Sequence, residues 1–450
     1  MSLLKKISLL FTAVLSSCTG TKALQQSFVK HPAWSKNVGI YEVNIRQYTP
    51  EGTFKAFEKH LPELKELGVG ILWLMPINPI GIKNRKGKLG SYYSVKNYKK
   101  VNHEFGTLED FKGLVNKIHK MGMHVIIDWV ANHTAWDNVW VTEHPEFYTK
   151  DANGNFVPPV ADWSDVIDLN YNNKLLWKYM VDAMKYWVTE TNIDGFRCDV
   201  AAMVPTEFWN YARKQLDEIK PVFMLAEANE PELQIHAFDM TYNWQLKDLM
   251  NKIAKRKAAA EDIAKLYSKQ QKKYSPNDYR MNFTTNHDEN TWNGTVYERL
   301  GNGAECFSVL TFMLPGMPLL YSGQEYGLNK RLRFFDKDTI KIKKGRLFSL
   351  YSKLYKLKRE NKVLRNGLKG GKIKFVKNNN PKNIIVFTRK NGKSGFLSIF
   401  NLSDKKSEVS ILNKKIFGIY QNIFTDKKLK MLKKTKLKLK PWEYLILRFQ

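Results

Sequence analysis

The sequence predicts an α/β fold: a (β/α)8 TIM barrel with a short inserted loop domain after strand 3 and a C-terminal antiparallel β domain. Three observations carry that expectation. Short apolar runs alternate with amphipathic helical stretches between residues 39 and 321, the pattern of a parallel sheet, and eight such runs can be counted. Eight strands in this length suit a closed barrel. The rhythm breaks over residues 131–172, rich in Pro, Asn, Asp and Trp, and long excursions inside a compact domain are usually functional. From about Leu364 the helical period disappears, and short β-rich runs at 384–387, 395–400 and 444–447 are split by Asn, Gly and Lys turns.

The chain opens on a targeting segment. Lys5 and Lys6 precede an apolar run over residues 7–15, too short to span a bilayer as a helix. It ends at Leu15-Ser16-Ser17-Cys18, which resembles the lipobox of bacterial lipoproteins. That resemblance implies a signal peptide over residues 1–18, acylation of Cys18, and a membrane-anchored protein of the cell envelope. Ordinary secretion with an incidental Cys is the alternative. Cys198 and Cys306 read as unpaired core residues rather than a disulfide framework.

A strand is expected over 39–47, then one amphipathic helix over 53–67 with Phe54, Phe57, Leu61 and Leu64 on one face. The continuous apolar run 70–75 marks a strand covered on both sides. Thr107 to Asp110 reads as a capping box opening the helix that stops at Gly122. The strand 125–128 precedes the excursion. A helix carrying Trp177, Met180, Met184 and Trp187 leads to the strand at 192–201, and a helix over 208–219 leads to 222–227. Weaker strands follow at 237–242, 280–284 and 319–321. The domains expected are a barrel over 30–363, its inserted loop domain at 133–172, and a β-sandwich-like domain over 364–450.

Composition excludes a disordered chain: 43% hydrophobic and 13% aromatic residues are those of a globular protein. The formal charge of +30, from 73 Lys+Arg against 43 Asp+Glu, admits a polyanion partner. The excess is mostly Lys spread along the chain and densest after residue 340, without a recognised nucleic-acid motif. A solvated lysine surface is the preferred reading, and no nucleic-acid partner is expected. The polyanion reading requires strongly salt-sensitive retention on heparin or nucleic acid.

The chemistry is concentrated where strands end, the side on which barrels of this type carry their sites. At 192–201 a buried strand ends on a carboxylate, and Arg197 and Asp199 project to the same face. A guanidinium there favours the ionised carboxylate, which suits either a structural ion pair or an activated nucleophile. The other strand ends offer Asp128 with Asn132 and His133, Glu227, and His287 with Asp288. A single acid after an apolar run is often a helix N-cap. Four strands that converge with acids point to a site, because crowded like charges are unfavourable.

These residues resemble the α-amylase family of retaining glycoside hydrolases. The match is carried, in the family's order, by Asp128-Trp129-Val130-Ala131-Asn132-His133, Gly195-Phe196-Arg197-Cys198-Asp199, Leu225-Ala226-Glu227 and Thr285-Asn286-His287-Asp288. Val166-Ile167-Asp168-Leu169-Asn170 resembles the family's additional motif, and Tyr93 stands where the family places an aromatic platform for the sugar. The likeness runs from about Gly39 to the C-terminus.

It implies Asp199 as nucleophile and Glu227 as general acid/base, with carboxyl groups about 5–5.5 Å apart. Arg197 would keep Asp199 charged, while apolar neighbours and nearby negative charge would raise Glu227. Asp288 would bind sugar hydroxyls as the third acid, His133 and His287 would hydrogen-bond the same sugar, and Asp128 would position Arg197. Asn132 and Asp168 match positions that bind calcium in many members; calcium and plain loop hydrogen bonding both remain open, and the chemistry requires no cofactor. Met203 departs from the family, many of whose starch-degrading members have a His there, and the insertion is short.

The implied function is hydrolysis of α-1,4 bonds in starch, glycogen or maltodextrins through a covalent glycosyl-enzyme. A 4-α-glucanotransferase or oligosaccharide-specific α-glucosidase is the alternative within the family. An inactive sugar-binding or scaffold protein is the alternative of another class.

Overall fold

Ten strands precede residue 330 in the computed structural model, which describes residues 26–413, 416–432 and 435–449. They are β1 (Ile40–Val43), β2 (Ile71–Leu74), β3 (His124–Trp129), the short β4 (His133–Ala135) and β5 (Val166–Asp168), then β6 (Gly195–Cys198), β7 (Phe223–Ala226), β8 (Met240–Tyr242), β9 (Tyr279–Asn282) and β10 (Met317–Tyr321). All but β4 and β5 close a barrel in chain order, every pairing parallel. The targeting segment and Cys18 lie outside the described residues, among which no helix is long and apolar enough to cross a membrane.

Alternation along the strands divides the core in two. Ile40, Ile71, Trp73, Ile126, Leu225 and Met281 fill the barrel interior, whereas Tyr41, Leu72, Val125 and Phe196 face the surrounding helices. Such strands are apolar on both faces, so they appear in the sequence as continuous runs. Gly195 starts β6 where the backbone leaves no space for a side chain. A Cβ there would sit 1.9 Å from the Phe223 carbonyl oxygen, so any other residue would push β6 off β7.

The strands expected over 192–201 and 237–242 are shorter, Gly195–Cys198 and Met240–Tyr242, and two further elements change kind. The helix expected over 53–67 is two helices, Phe54–Glu58 and Leu61–Leu67. Pro62 lacks an N–H and its ring would clash with the carbonyl of Glu58, so the first helix stops and Pro62 opens the second. The strand expected over 39–47 ends at Val43 and is followed by the helical turn Ile45–Tyr48. That turn carries buried Arg46, which donates to the carbonyls of Gly90 and Leu89 and so tethers the long loop after β2. The capping box at Thr107 forms in both directions, with the Asp110 N–H donating to the Thr107 hydroxyl and the Thr107 N–H to the Asp110 carboxylate.

After the helix Arg346–Glu360 the chain turns to strands β11 (Lys372–Phe375), β12 (Ile384–Asn391), β13 (Ser394–Asn401), β14 (Ser407–Ser410), β15 (Gly418–Asn422), β16 (Lys428–Met431), β17 (Lys436–Leu439) and β18 (Tyr444–Phe449). Six form an antiparallel sheet in the order β11-β12-β13-β18-β15-β16, and β14 pairs with β17. Val386, Leu397 and Leu447 of the larger sheet pack in one cluster with Val409 and Leu439 of the smaller. Arg389 fixes this domain to the barrel by donating to the carbonyls of Met313 and Leu314. Cys198 and Cys306 are buried free thiols.

Candidate active site

The carboxyl ends of the barrel strands bring Asp128, Arg197, Asp199, Glu227 and His287 into contact, with Asp288 beside His287. Arg197, on β6 and fully buried, is the hub. Its Nη1 donates to Asp128 Oδ1 at 2.9 Å and to Asp199 Oδ1 at 2.8 Å. Its Nη2 lies 2.8 Å from Glu227 Oε2, and its Nε donates to the Tyr242 hydroxyl at 3.1 Å. Two acids 28 residues apart in the chain therefore meet on opposite nitrogens of one guanidinium. A planar fork suits this where an ammonium would not.

The backbone contributes as well. Val200, directly after Asp199, has φ +37°, a left-handed conformation that a β-branched residue rarely adopts and that costs about 1–3 kcal/mol. This bend directs the Val200 N–H at Glu227 Oε2, 2.9 Å away. A donor from the segment carrying Asp199 thus fixes the carboxyl of Glu227.

Asp128 accepts from Trp73 Nε1 at 3.2 Å and from the Tyr93 hydroxyl at 3.0 Å in addition to Arg197. Tyr93 Oη is 2.8 Å from His287 Nε2, and the two rings stack. His287 Nε2 is also 3.1 Å from Asp288 Oδ2, and its Nδ1 is 2.5 Å from Glu42 Oε1 on β1. Five carboxyl groups thus share two cationic centres.

Burial sets the protonation of this cluster. It pushes Asp199 well above the ordinary carboxylate range; Arg197 pulls it back, while Glu227, Asp128 and Asp288 push it further up. From the sequence the guanidinium is expected to hold Asp199 ionised; in the structure desolvation and the neighbouring carboxyls oppose it. Asp128 rises by burial against Arg197 and His287, and Asp288 rises by burial against His287. Protons therefore belong to the cluster as a whole. Burial pulls His133 down to about 3, which leaves a neutral imidazole facing the cleft.

Above the acids lies a cavity of about 590 Å³, bounded by His133, Trp163, Trp292, Phe334 and Phe335 among others. Phe334 stacks parallel to Tyr93, and Trp292 packs on both phenylalanines. One wall is a strap from the loop after β2. Lys86 pairs with Asp165 at 3.1 Å and donates to the Asp162 carbonyl in the insertion, while the Leu89 N–H donates to the Phe335 carbonyl on the far side.

Asn132 and Asp168 are neighbours across the β4–β5 pair, where His133 registers with Asp168. The Asp168 carboxylate accepts from the Thr149 hydroxyl at 2.7 Å, and Asn132 Nδ2 is 3.3 Å from His133 Nδ1. Calcium takes about six to eight oxygen ligands. One hydrogen-bonded carboxylate and one amide are a poor fit to that donor set, and among the described residues no three His, Cys, Asp or Glu side chains converge as a metal site. Met203 is solvent-exposed at the end of a short 3-10 turn after Asp199.

Sequence reasoning missed Glu42, Trp73, Tyr242 and the rim aromatics Trp292, Phe334 and Phe335. Glu42 left a signal, a carboxylate inside an otherwise apolar strand, where charged residues are almost never fully buried unless paired. The rim aromatics left none. Nothing local separates a Phe at a cleft mouth from one in the core.

The family model for the alpha-amylase catalytic domain matches residues 24–160 and 159–346. Among solved structures, the maltogenic alpha-amylase AmyB of Thermotoga neapolitana is 33% identical, with a TM-score of 0.85, 92% of this chain and 99% of that one covered. An alpha-amylase from Lactobacillus plantarum is also 33% identical, with a TM-score of 0.83 and coverage of 93% and 100%. An alpha-1,4-glucan:maltose-1-phosphate maltosyltransferase of Picrophilus torridus is 29% identical over 78% of this chain and 59% of its own length. The chain spans between 46% and 65% of the length of the first curated relatives it matches.

Proposed function

Because the chain belongs to the α-amylase family, we propose that it hydrolyses α-1,4-glucosidic bonds of starch, glycogen or maltodextrins with retention of configuration. One observation carries this reading: a single guanidinium, Arg197, contacts Asp128, Asp199 and Glu227 at the mouth of the barrel. Such a bridge holds the two reacting carboxyls close together, as the retaining spacing of about 5–5.5 Å requires.

Glu227 donates its proton to the glycosidic oxygen as Asp199 attacks the anomeric carbon, and the leaving sugar departs with that proton. Glu227, now ionised, takes a proton from water. The oxygen of that water displaces Asp199, and the product keeps its configuration. Asp288 accepts from hydroxyls of the reacting sugar with His287 beside it, and Tyr93 presents its ring to the same sugar. His133 offers a neutral hydrogen-bonding group.

A time course of products from maltoheptaose and soluble starch tests this reading. Early mixed oligosaccharides indicate attack within chains, and glucose alone indicates an exo-glucosidase. Products longer than the substrate indicate a 4-α-glucanotransferase, the second reading, which the maltosyltransferase relative supports. No release under any condition indicates a sugar-binding protein. Glu227→Gln is expected to lower kcat on maltoheptaose by about 10²–10⁴-fold. It should largely spare the first step on an aryl maltoside whose phenolate leaves unprotonated, and a burst of the phenol would show this. Absence of the burst, with the first step slowed as much on the aryl maltoside as on maltoheptaose, would remove Glu227 from the acid role.

The proposal includes envelope anchorage through Cys18. Cys18→Ser is expected to shift the protein from the membrane fraction to the soluble fraction of fractionated cells. Unchanged membrane association would exclude the lipid anchor.

A further inference from the structure

Glu42 has no part in the steps above, yet it is fully buried at the base of the site. It lies on β1, in register with Trp73 on β2 and Tyr321 on β10. Parity with Ile40 points its side chain into the barrel rather than towards the helices. Its Oε1 meets His287 Nδ1 at 2.5 Å, and its Oε2 has no hydrogen-bond partner. A buried carboxylate left half unsatisfied is expensive, so its retention in an otherwise apolar layer asks for a reason.

Proton accounting along the hydrogen bonds supplies one. The Tyr93 hydroxyl has a single proton, donated to Asp128 Oδ2. Tyr93 Oη must then accept from His287 Nε2, so that nitrogen carries a proton. The other ring nitrogen faces the Glu42 carboxylate. Both nitrogens are protonated only in the imidazolium; burial raises the Glu42 carboxyl, and His287 and Arg197 pull it back towards the anion that this form needs.

Resting on the glycosidase reading, we propose that Glu42 is a positioning residue: it holds His287 as a doubly donating cation, and that cation keeps Asp288 a charged acceptor for the hydroxyls of the reacting sugar.

The groups facing His287 agree. Burial pulls the imidazole down, but Asp288 and Glu42 outweigh it and lift His287 to about 9, against a smaller opposing push from Arg197. Tyr93 and Asp128 face it from the loop after β2 and from β3, and Trp73 meets it edge-on. Tyr242 and Tyr321 complete the surroundings of Glu42. His287 is the principal group that pulls Asp288 back down. Without Glu42 the chain of consequences reverses: the imidazole deprotonates, Asp288 takes up a proton, and a sugar hydroxyl loses its charged acceptor.

The test compares Glu42→Gln and Glu42→Asp with wild type in the full-length protein. In Glu42→Gln the alkaline limb of kcat/KM on an aryl maltoside should move at least one pH unit towards acid. With His287 falling from about 9 to near the ordinary value of about 6.5, pH 8 lies below the first value and above the second, so the variant should lose roughly 20–30-fold more activity at pH 8 than at pH 5.5. Glu42→Asp, which keeps the charge, should restore the limb even if its activity is lower throughout. A loss equal at every pH, with the limb in place, would mean that Glu42 only packs and would overturn the proposal.

NMR of protein labelled at its nine histidines, with His287 assigned through His287→Gln, gives a readout independent of turnover. His287 should stay protonated through pH 8 in wild type and titrate near or below the ordinary value of about 6.5 in Glu42→Gln. An unshifted titration overturns the proposal. A wild type that hydrolyses nothing while His287 shifts as expected would instead sink the glycosidase reading and leave the role of Glu42 towards His287 standing.

Discussion

Asp199→Asn is expected to lower kcat on maltoheptaose by about 10⁴-fold or more, the scale on which removal of a covalent nucleophile acts. Asn keeps an oxygen that can accept from Arg197 Nη1, as Asp199 Oδ1 does at 2.8 Å, but an amide oxygen cannot form a stable ester with the anomeric carbon. The fold should not suffer. Burial and three facing carboxyls already work against the ionised form of Asp199, so an uncharged isostere relieves repulsion. The melting temperature should be unchanged or higher, the usual direction when a strained functional charge is removed. A folded variant with wild-type turnover would take the nucleophile role away from Asp199. A variant that unfolds would show the carboxylate to be structural.

Arg197→Met should damage both stability and activity. It removes the cation shared by Asp128, Asp199 and Glu227 and leaves Asp128 fully buried without its charge partner. Breaking a buried pair by removing one member costs about 3–5 kcal/mol, to be read from urea unfolding at neutral pH. The sign of the pH dependence follows from the shifts. Asp128 and Asp199 are raised in the folded protein even with the guanidinium present, and its loss raises them further. Between the ordinary carboxylate value and the raised one, the folded state binds protons that the unfolded chain releases, so stability falls as pH rises. The deficit relative to wild type should therefore be smaller at pH 5 than at pH 8. A deficit that does not change with pH would show that Arg197 contributes through packing alone. Arg197→Lys should not restore the wild type, because a point charge cannot reach three carboxyls along separate directions.

The legible part of this protein was its repeating part. Runs such as 70–75 and 222–226 are apolar because the barrel strands are covered on both sides, and that requirement acts on each strand separately. Arg197 and Asp199 could be placed on one face because strand geometry fixes the direction of residues two apart. Elements whose shape depends on distant partners were less readable. The helical turn Ile45–Tyr48 forms where Asn44 bonds to Gln47 and Tyr92, and where Arg46 reaches the carbonyls of Leu89 and Gly90.

The sequence by itself determined the order of strands and helices, the acids that end the strands, and the family likeness that links them. These follow from short-range periodicity and from residues a few positions apart. Only the tertiary structure decided how the charges balance. It seated Glu42 beneath His287, bent the chain at Val200 towards Glu227, and enclosed Asp199 so fully that burial and neighbouring carboxyls oppose its ionisation. The physical reason is that desolvation and Coulomb terms depend on everything within a few ångströms, and closing the barrel brings together residues as far apart in the chain as Glu42 and His287, 245 positions from each other.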